Sequence, residues 1–471
     1  MLEYVIYMLP LLILLGGISC FALINFTQDE TNKCFKFCRV LLTICLISIA
    51  IFYNKPLMAG LTVANHFTIV FEMWLYLSAL LVLYISRKWF VNMKQNGSRF
   101  CYALLLAVLS GSLLIVSKNL ALTGGAIALL IFGNIRILQT DTTNKQSFSP
   151  NRIYQSSALV CLIILFASIA LLYHYGHHFT YSKVNLFLGM AIGEPLIFVA
   201  TAGVVICFMF LLSAAPLHYW LTENSARVSL PVFSYFLLVP SGICLAAFIR
   251  FVLNVLPPLN SAFALFFVGV AFMSVFVGAV GACSGQNIRK ILAYGYVFQI
   301  GIIILVLQHF NIFAARTALT YWFVAWMAML GAIISLYSLK SRGEYLSMLV
   351  EYAGAKDKCP LIALMLTFCL FSMMGLPPLI GAVGYFAVLN NLAFNNHFYA
   401  LVYILLMLLV IAYAYLQIIK SINFDDNRNN FDRYDKGVAI LLCVISALMM
   451  ILVFNPYYLL EQPWIMELVN E

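Results

Sequence analysis

Charge is what this chain has least of. Only 9% of its 471 residues are Asp, Glu, Lys or Arg, whereas 64% are hydrophobic. A soluble globular domain carries about 25% charged residues, so a soluble enzyme or secreted domain is excluded and an integral membrane protein is expected. The net charge of +9 comes from cations scattered among loops, which excludes a nucleic-acid partner and points to membrane topology instead. No glycine fingerprint of the dinucleotide-binding type is present, and none of the twelve cysteines stands in a CxxC. Flavin, iron–sulfur, quinone and metal sites are therefore not expected. Cys34 and Cys38 lie one helical turn apart, which leaves a thiol pair open. The plainer account is that cysteine in apolar surroundings acts as a small hydrophobe.

What the chain does have is long apolar runs joined by short polar breaks, the pattern of a helical bundle rather than a barrel. Runs of about 20 apolar residues give fourteen spans, near 4–25, 37–53, 66–86, 101–117, 119–135, 156–174, 193–221, 230–254, 261–283, 289–308, 315–339, 359–391, 398–421 and 437–459. The first run lacks a basic leader segment, since Glu3 precedes it and Lys33 is the first cation; it is expected to be a true span. Of the 26 Lys and Arg, only Lys55, Lys118, Lys183, Arg250 and Arg316 fall on the side reached after even-numbered spans; the other 21 share the opposite side. The positive-inside rule then places both termini on the periplasmic or intermembrane side.

The seventh and twelfth runs are too long for one straight crossing, and both contain proline: Pro216 in "SAAPLHYW", and Pro377 and Pro378 after Gly375 in "MMGLPPLIG". Proline removes a helical donor, and a broken backbone at membrane depth persists only beside protein or a water-lined cavity. Paired breaks five spans apart are the mark of an inverted repeat. The expected division is 1–100 for the first three spans, 101–254 and 261–421 for two inverted five-helix repeats, and 422–471 for the last span and tail.

Four stretches carry a family resemblance: "AAPLHYWLTENSARVSLPV" (214–232), "QNIRKILAYGYVFQIG" (286–301), "LTYWFVAWMAMLGA" (319–332), and "EYAGAKDKCPLIAL" with "FSMMGLPPLIGAVGYF" (351–386). Together they resemble the antiporter-like membrane subunits of respiratory complex I, the subunit N and mitochondrial subunit 2 family, and the related Mrp antiporter subunits. The resemblance covers roughly residues 60 to 420. It implies fourteen spans with outward termini, other complex I membrane-arm subunits as partners, and proton translocation along buried ionisable residues. These would be a glutamate in span five, lysines at the break of span seven and in span eight, and a lysine or glutamate in span twelve.

All four positions are uncharged here. The shared motifs place them near Leu129 and at Leu211, Ser241 and Tyr385. Register slips cannot restore them, because 195–213, 230–249 and 359–391 contain no Asp, Glu, Lys, Arg or His. The polar groups left nearby are Ser213, Ser234, Ser241 and Tyr385. Hydroxyls hold water but store protons poorly, since a tyrosine titrates near about 10.

The remaining candidates are few. His218 follows the first break, where the family also has histidine; a proton-relay role stands against that of a hydrogen-bond partner for the freed backbone. Glu223 falls on a family aspartate, as relay or as helix cap. Glu72 is the only carboxylate well inside a span, functional by default or structurally paired. Glu194 is expected as a charge at a helix start, and Arg289 and Lys290 as headgroup anchors. His174, His177 and His178 have a metal-like spacing with no acid nearby.

Three functions remain open: a subunit-N-like component of NADH:quinone oxidoreductase that has lost the central relay, an Mrp-type cation/proton antiporter subunit, and a non-translocating structural or assembly paralogue. The composition suits a bacterial inner membrane or a mitochondrial one, with lipids around the bundle.

Overall fold

The computed structural model describes residues 9–24, 30–52, 57–58, 62–140, 150–191, 193–426 and 431–456. Both chain ends, and with them the expected side of the termini, lie outside the described residues, as do Lys55, Lys145 and Arg428. The described chain is helical apart from two antiparallel ribbons of two-residue strands, Leu57–Met58 with Val63–Ala64 and Lys340–Ser341 with Glu344–Tyr345.

The helices fall into two compact units. The first unit contains α1 (Leu9–Ile24), α2 (Thr31–Phe52), α3 (His66–Asn92), α4 (Gly97–Val116), α5 (Leu120–Gln139), α6 (Pro150–Gly176), α7 (Tyr181–Met190) and α8 (Pro195–Leu211). The short α9 (Tyr219–Ser225) belongs to the second unit. The chain then returns to the first unit for α10 (Leu230–Leu238) and α11 (Pro240–Asn254). The second unit continues with α12 (Asn260–Cys283), α13 (Ile288–Leu307), α14 (Ile312–Ser338), α15 (Ala355–Lys358), α16 (Pro360–Met373), α17 (Ile380–Phe394), α18 (Phe398–Phe424) and α19 (Lys436–Phe454). Eleven described helical stretches, α10 and α11 counted together, are long and apolar enough to cross a membrane; the shorter apolar helices are α1, α8, α16 and α17.

Asparagine starts many of these helices. Asn65 accepts from Thr68 N while Thr68 Oγ1 accepts from Asn65 N, both at 3.0 Å. Asn119 caps Ala121 N at 2.8 Å, Asn287 caps Arg289 N at 3.0 Å and Asn311 caps Ala314 N at 2.8 Å. In a chain with few carboxylates, the amide oxygen satisfies the orphan donors of a helix start without bringing charge to the membrane. Each unit is built around a helix buried along nearly all its length, α10–α11 in the first and α14 in the second. All twelve cysteines are free thiols.

Candidate functional site

Both expected breaks are present. α8 ends at Leu211, and α16 ends at Met373. Two residues beyond each end the backbone turns left-handed, at Ser213 (φ 58°) and Gly375 (φ 75°), and three residues further on stand Pro216 and Pro378, each after a cis peptide bond. The freed backbone finds partners. Ala215 N donates to Ser274 Oγ at 2.9 Å in the second unit. In the second break Leu376 N donates to the Phe371 carbonyl at 3.2 Å and Gly381 N to Ser372 Oγ, also at 3.2 Å. Breaking a helix in lipid is tolerable because neighbouring side chains take over the orphan groups.

A third interruption was legible in the sequence but not expected. Span eight is divided between Leu238 and Pro240, since Pro240 has no N–H to continue the ladder. Ser241 follows directly, with a buried hydroxyl that no group engages.

The four positions that the family resemblance makes ionisable carry no charge and are shielded to different degrees. Leu211, Ser241 and Tyr385 are buried, and Leu129 on α5 is partly so. The Tyr385 hydroxyl donates to the Met373 carbonyl at 3.2 Å, back across the break, and its ring meets Tyr321 edge-on with centroids 5.1 Å apart. Ser234 donates to the Pro231 carbonyl at 2.9 Å. These hydroxyls serve backbone carbonyls. Leu211, Ser241 and Tyr385 bring no charge to either break.

Charged groups do occur inside the units, at other places. In the first unit Glu72, two turns into α3, is buried, and so is Arg250 near the end of α11. The two lie within electrostatic reach of each other. Arg250 donates to the Ile115 carbonyl and stands over the Phe67 ring, 5.4 Å from its centroid. From sequence Arg250 counts toward the cation-poor side, near the end of the span expected over 230–254; packing puts it among the largest fully buried side chains.

In the second unit Glu223 of α9 accepts from Lys290 Nζ of α13 at 2.9 Å. Lys290, expected as a headgroup anchor, is thus an ion-pair partner. Counted from the two left-handed residues, Glu223 and Tyr385 each stand ten positions on. One break therefore carries a paired carboxylate at the position where the other carries a phenol. His218 is half-buried; its ring reaches the Pro216 backbone and lies 6.2 Å from the Tyr294 ring, while Nδ1 is buried without a partner. Glu194 precedes Pro195 at the start of α8 but makes no capping bond. His177, in left-handed backbone, packs edge-on against Tyr173, and among the described residues no three His, Cys, Asp or Glu come together as a metal site.

A buried polar network in the first unit was not foreseen. Asn134 of α5 donates to the Tyr154 hydroxyl at 2.9 Å and accepts from the Tyr235 hydroxyl at 2.7 Å, tying α5, α6 and α10. Asn134 is the only signal the sequence offered, as an uncapping asparagine within an apolar run.

The family described as NADH:quinone oxidoreductase/Mrp antiporter, transmembrane, matches residues 126–412. The chain is 21% identical over 403 residues to an NADH-quinone oxidoreductase subunit N of Moorella thermoacetica, covering 84% of this chain and 83% of that protein. A chain of respiratory complex I from Thermus thermophilus superposes with a TM-score of 0.80 at 21% identity, over 96% of this chain and 98% of that one. A chain of the Mrp complex from a Dietzia species superposes with a TM-score of 0.83 at 15% identity, over 98% and 99%.

Proposed function

We propose, because this chain belongs to the NADH:quinone oxidoreductase/Mrp antiporter transmembrane family, that it serves as a subunit-N-like component of the membrane arm of NADH:quinone oxidoreductase. In this role it translocates no proton through a central lysine–glutamate relay. The observation that carries the second statement is the set Leu129, Leu211, Ser241 and Tyr385, standing uncharged where the family relay would run. A charge at the middle of a membrane helix costs about 2.5 kcal/mol or more, and these helices do not carry that cost. The matching helix ends, left-handed residues and prolines of the two breaks support two inverted repeats. Counting each broken helix as one crossing supports fourteen spans. The 21 cations on one side support termini on the periplasmic or intermembrane side. The partners are the other membrane-arm subunits, and redox chemistry stays with them.

The uncharged centre argues against an Mrp-type antiporter subunit, because exchanging a cation for a proton needs ionisable sites as much as pumping does. It favours, as a second reading, a paralogue that scaffolds or assembles the arm. The two readings part on association, since a mature subunit co-purifies with the assembled arm in mild detergent and an assembly factor leaves it. The test of the lost relay is the proton-to-electron stoichiometry of the complex in sealed vesicles with His218→Ala or Glu72→Ala. The expected ratio is that of the unmodified complex in both. Loss of a whole proton step in either variant, with assembly intact, would reveal a different relay and end the proposal.

A further inference from the structure

The second unit has a cleft of about 1020 Å³ between the end of α12, the segment before α15 and the end of α18. Its lining residues neighbour Arg289, Lys290, Lys356 and Lys358 in the sequence. Its walls are pinned by hydrogen bonds. Leu349 N donates to the Gln286 carbonyl at 2.8 Å, Ser421 Oγ to the Leu349 carbonyl at 2.9 Å, and Gly354 N to the Ser421 carbonyl at 3.2 Å. The cleft is therefore built into the fold, with no loop rearrangement needed to form it.

Its chemistry is two-sided. Lys420, exposed one turn before the end of α18, supplies one cation. Asp425 and Asp426, one turn further on, supply two carboxylates. The amides of Gln286 and Gln417 open between them. Met348, Val350 and Phe424, all exposed, form an apolar rim.

The face of α18 that leads to the cleft says what enters it. Val402, Leu406, Leu409, Tyr413 and Leu416 are exposed and follow one another at steps of four and three. Lys420 and Phe424 continue the same stripe. A helix face with that spacing is continuous. An acyl chain lying along it brings its headgroup to the cleft, where a lysine at a helix end meets phosphate.

We infer that this cleft binds the headgroup of an aminophospholipid, with its phosphate on Lys420 and its primary ammonium on Asp425 and Asp426. An anionic headgroup is disfavoured by two carboxylates against one cation. A choline headgroup is disfavoured because quaternary ammonium recognition uses aromatic cages, and among the described residues Phe424 is the one aromatic ring lining the cleft. A primary ammonium instead offers three donors to the two carboxylates.

The test uses the full chain in phosphatidylcholine vesicles containing a trace of chain-labelled phosphatidylethanolamine, phosphatidylcholine or phosphatidylglycerol. The readout is the fraction of spin label immobilised on the protein. Phosphatidylethanolamine is expected to be retained over both others. Lys420→Gln should lower its retention about tenfold, the effect of losing one charge-assisted hydrogen bond. Asp425→Asn with Asp426→Asn should abolish the preference for ethanolamine over choline while leaving phosphate binding. All three side chains are exposed, and an unchanged thermal transition checks that the variants fold. Equal retention of the three lipids overturns the inference, as does retention indifferent to both sets of substitutions. Displacement of the label by inorganic phosphate in the aqueous phase reassigns the cleft to a soluble phosphate compound. Absence of retention here, with Lys420 shielded from amine reagents in the intact membrane complex, assigns it to a protein partner. Both of these outcomes also overturn it.

Discussion

Ser213 and Gly375 hold the same left-handed backbone, each two residues beyond the end of a broken helix, with φ of 58° and 75°. One is a serine that accepts an unfavourable conformation, and the other is a glycine that needs it. A left-handed backbone costs an ordinary residue about 1–2 kcal/mol, and a Cβ on Gly375 would also overlap the Tyr385 ring. Gly375→Ala should therefore destabilise the purified protein by about 2–3 kcal/mol, adding that overlap to the backbone cost. Ser213→Gly should be neutral or stabilising, because the strain it removes offsets the freedom gained in the unfolded chain. Thermal unfolding in detergent checks both, and similar losses in the two variants would sink this account of the breaks.

The pair Glu223–Lys290 joins α9 to α13 across 67 residues of sequence, with both side chains partly exposed. Water and salt screen such a pair, so its coupling should be below about 1 kcal/mol. A double-mutant cycle with Glu223→Gln and Lys290→Gln should return that value and shrink in high salt. A coupling of several kcal/mol, insensitive to salt, would mean that the pair is drier than its exposure indicates.

Glu72 and Arg250 behave differently because both are buried. Removing one of two buried groups that interact electrostatically leaves the other less compensated, at up to about 3–5 kcal/mol, the cost of breaking a direct buried pair. Arg250→Met should therefore reduce the amount of folded protein in the membrane sharply. Adding Glu72→Gln should recover much of the loss, though the Ile115 carbonyl still loses its donor. If the double variant is no better than Arg250→Met alone, the two charges are not coupled.

Acid should weaken the second unit through His309, which lies between α13 and α14. Burial, and the His397 ring with its centroid 4.9 Å away, lower its pKa from 6.5 to about 4. Its Nε2 is buried without a partner. The unfolded chain takes up this proton near 6.5 and the folded one only near 4. Stability from the neutral ring is therefore full above pH 6.5 and falls as pH drops toward 4. The ring is half-exposed, so the loss should be about 1–2 kcal/mol, below the full effect of the shift. His309→Gln should flatten stability against pH over that window. An unchanged slope would place the acid sensitivity elsewhere.

The membrane class, the long apolar helices and the two breaks were legible because each is a local property. Bilayer thickness sets the length of an apolar run, and proline stops a helix wherever it stands. The absence of charge near Leu129 and at Leu211, Ser241 and Tyr385 was equally plain, since no fold can add an ionisable group to a segment that has none. The kink at Pro240 was as readable as the others, but its run is short enough for one crossing and so raised no question of length.

Pairing is where local reading stopped. Nothing near Arg250 in the chain says that it stands over Phe67 within electrostatic reach of Glu72, and nothing near Lys290 says that Glu223 stands within 2.9 Å. Nor does the sequence show that Ser213–Ala226 folds with the second unit while the residues on either side fold with the first. The physical reason is the solvent. In water, a polar face and an apolar face tell each helix which way to turn; in lipid both faces are apolar, and that period disappears. Van der Waals fit and a few buried hydrogen bonds then choose the neighbours, and those are properties of the packed helices alone.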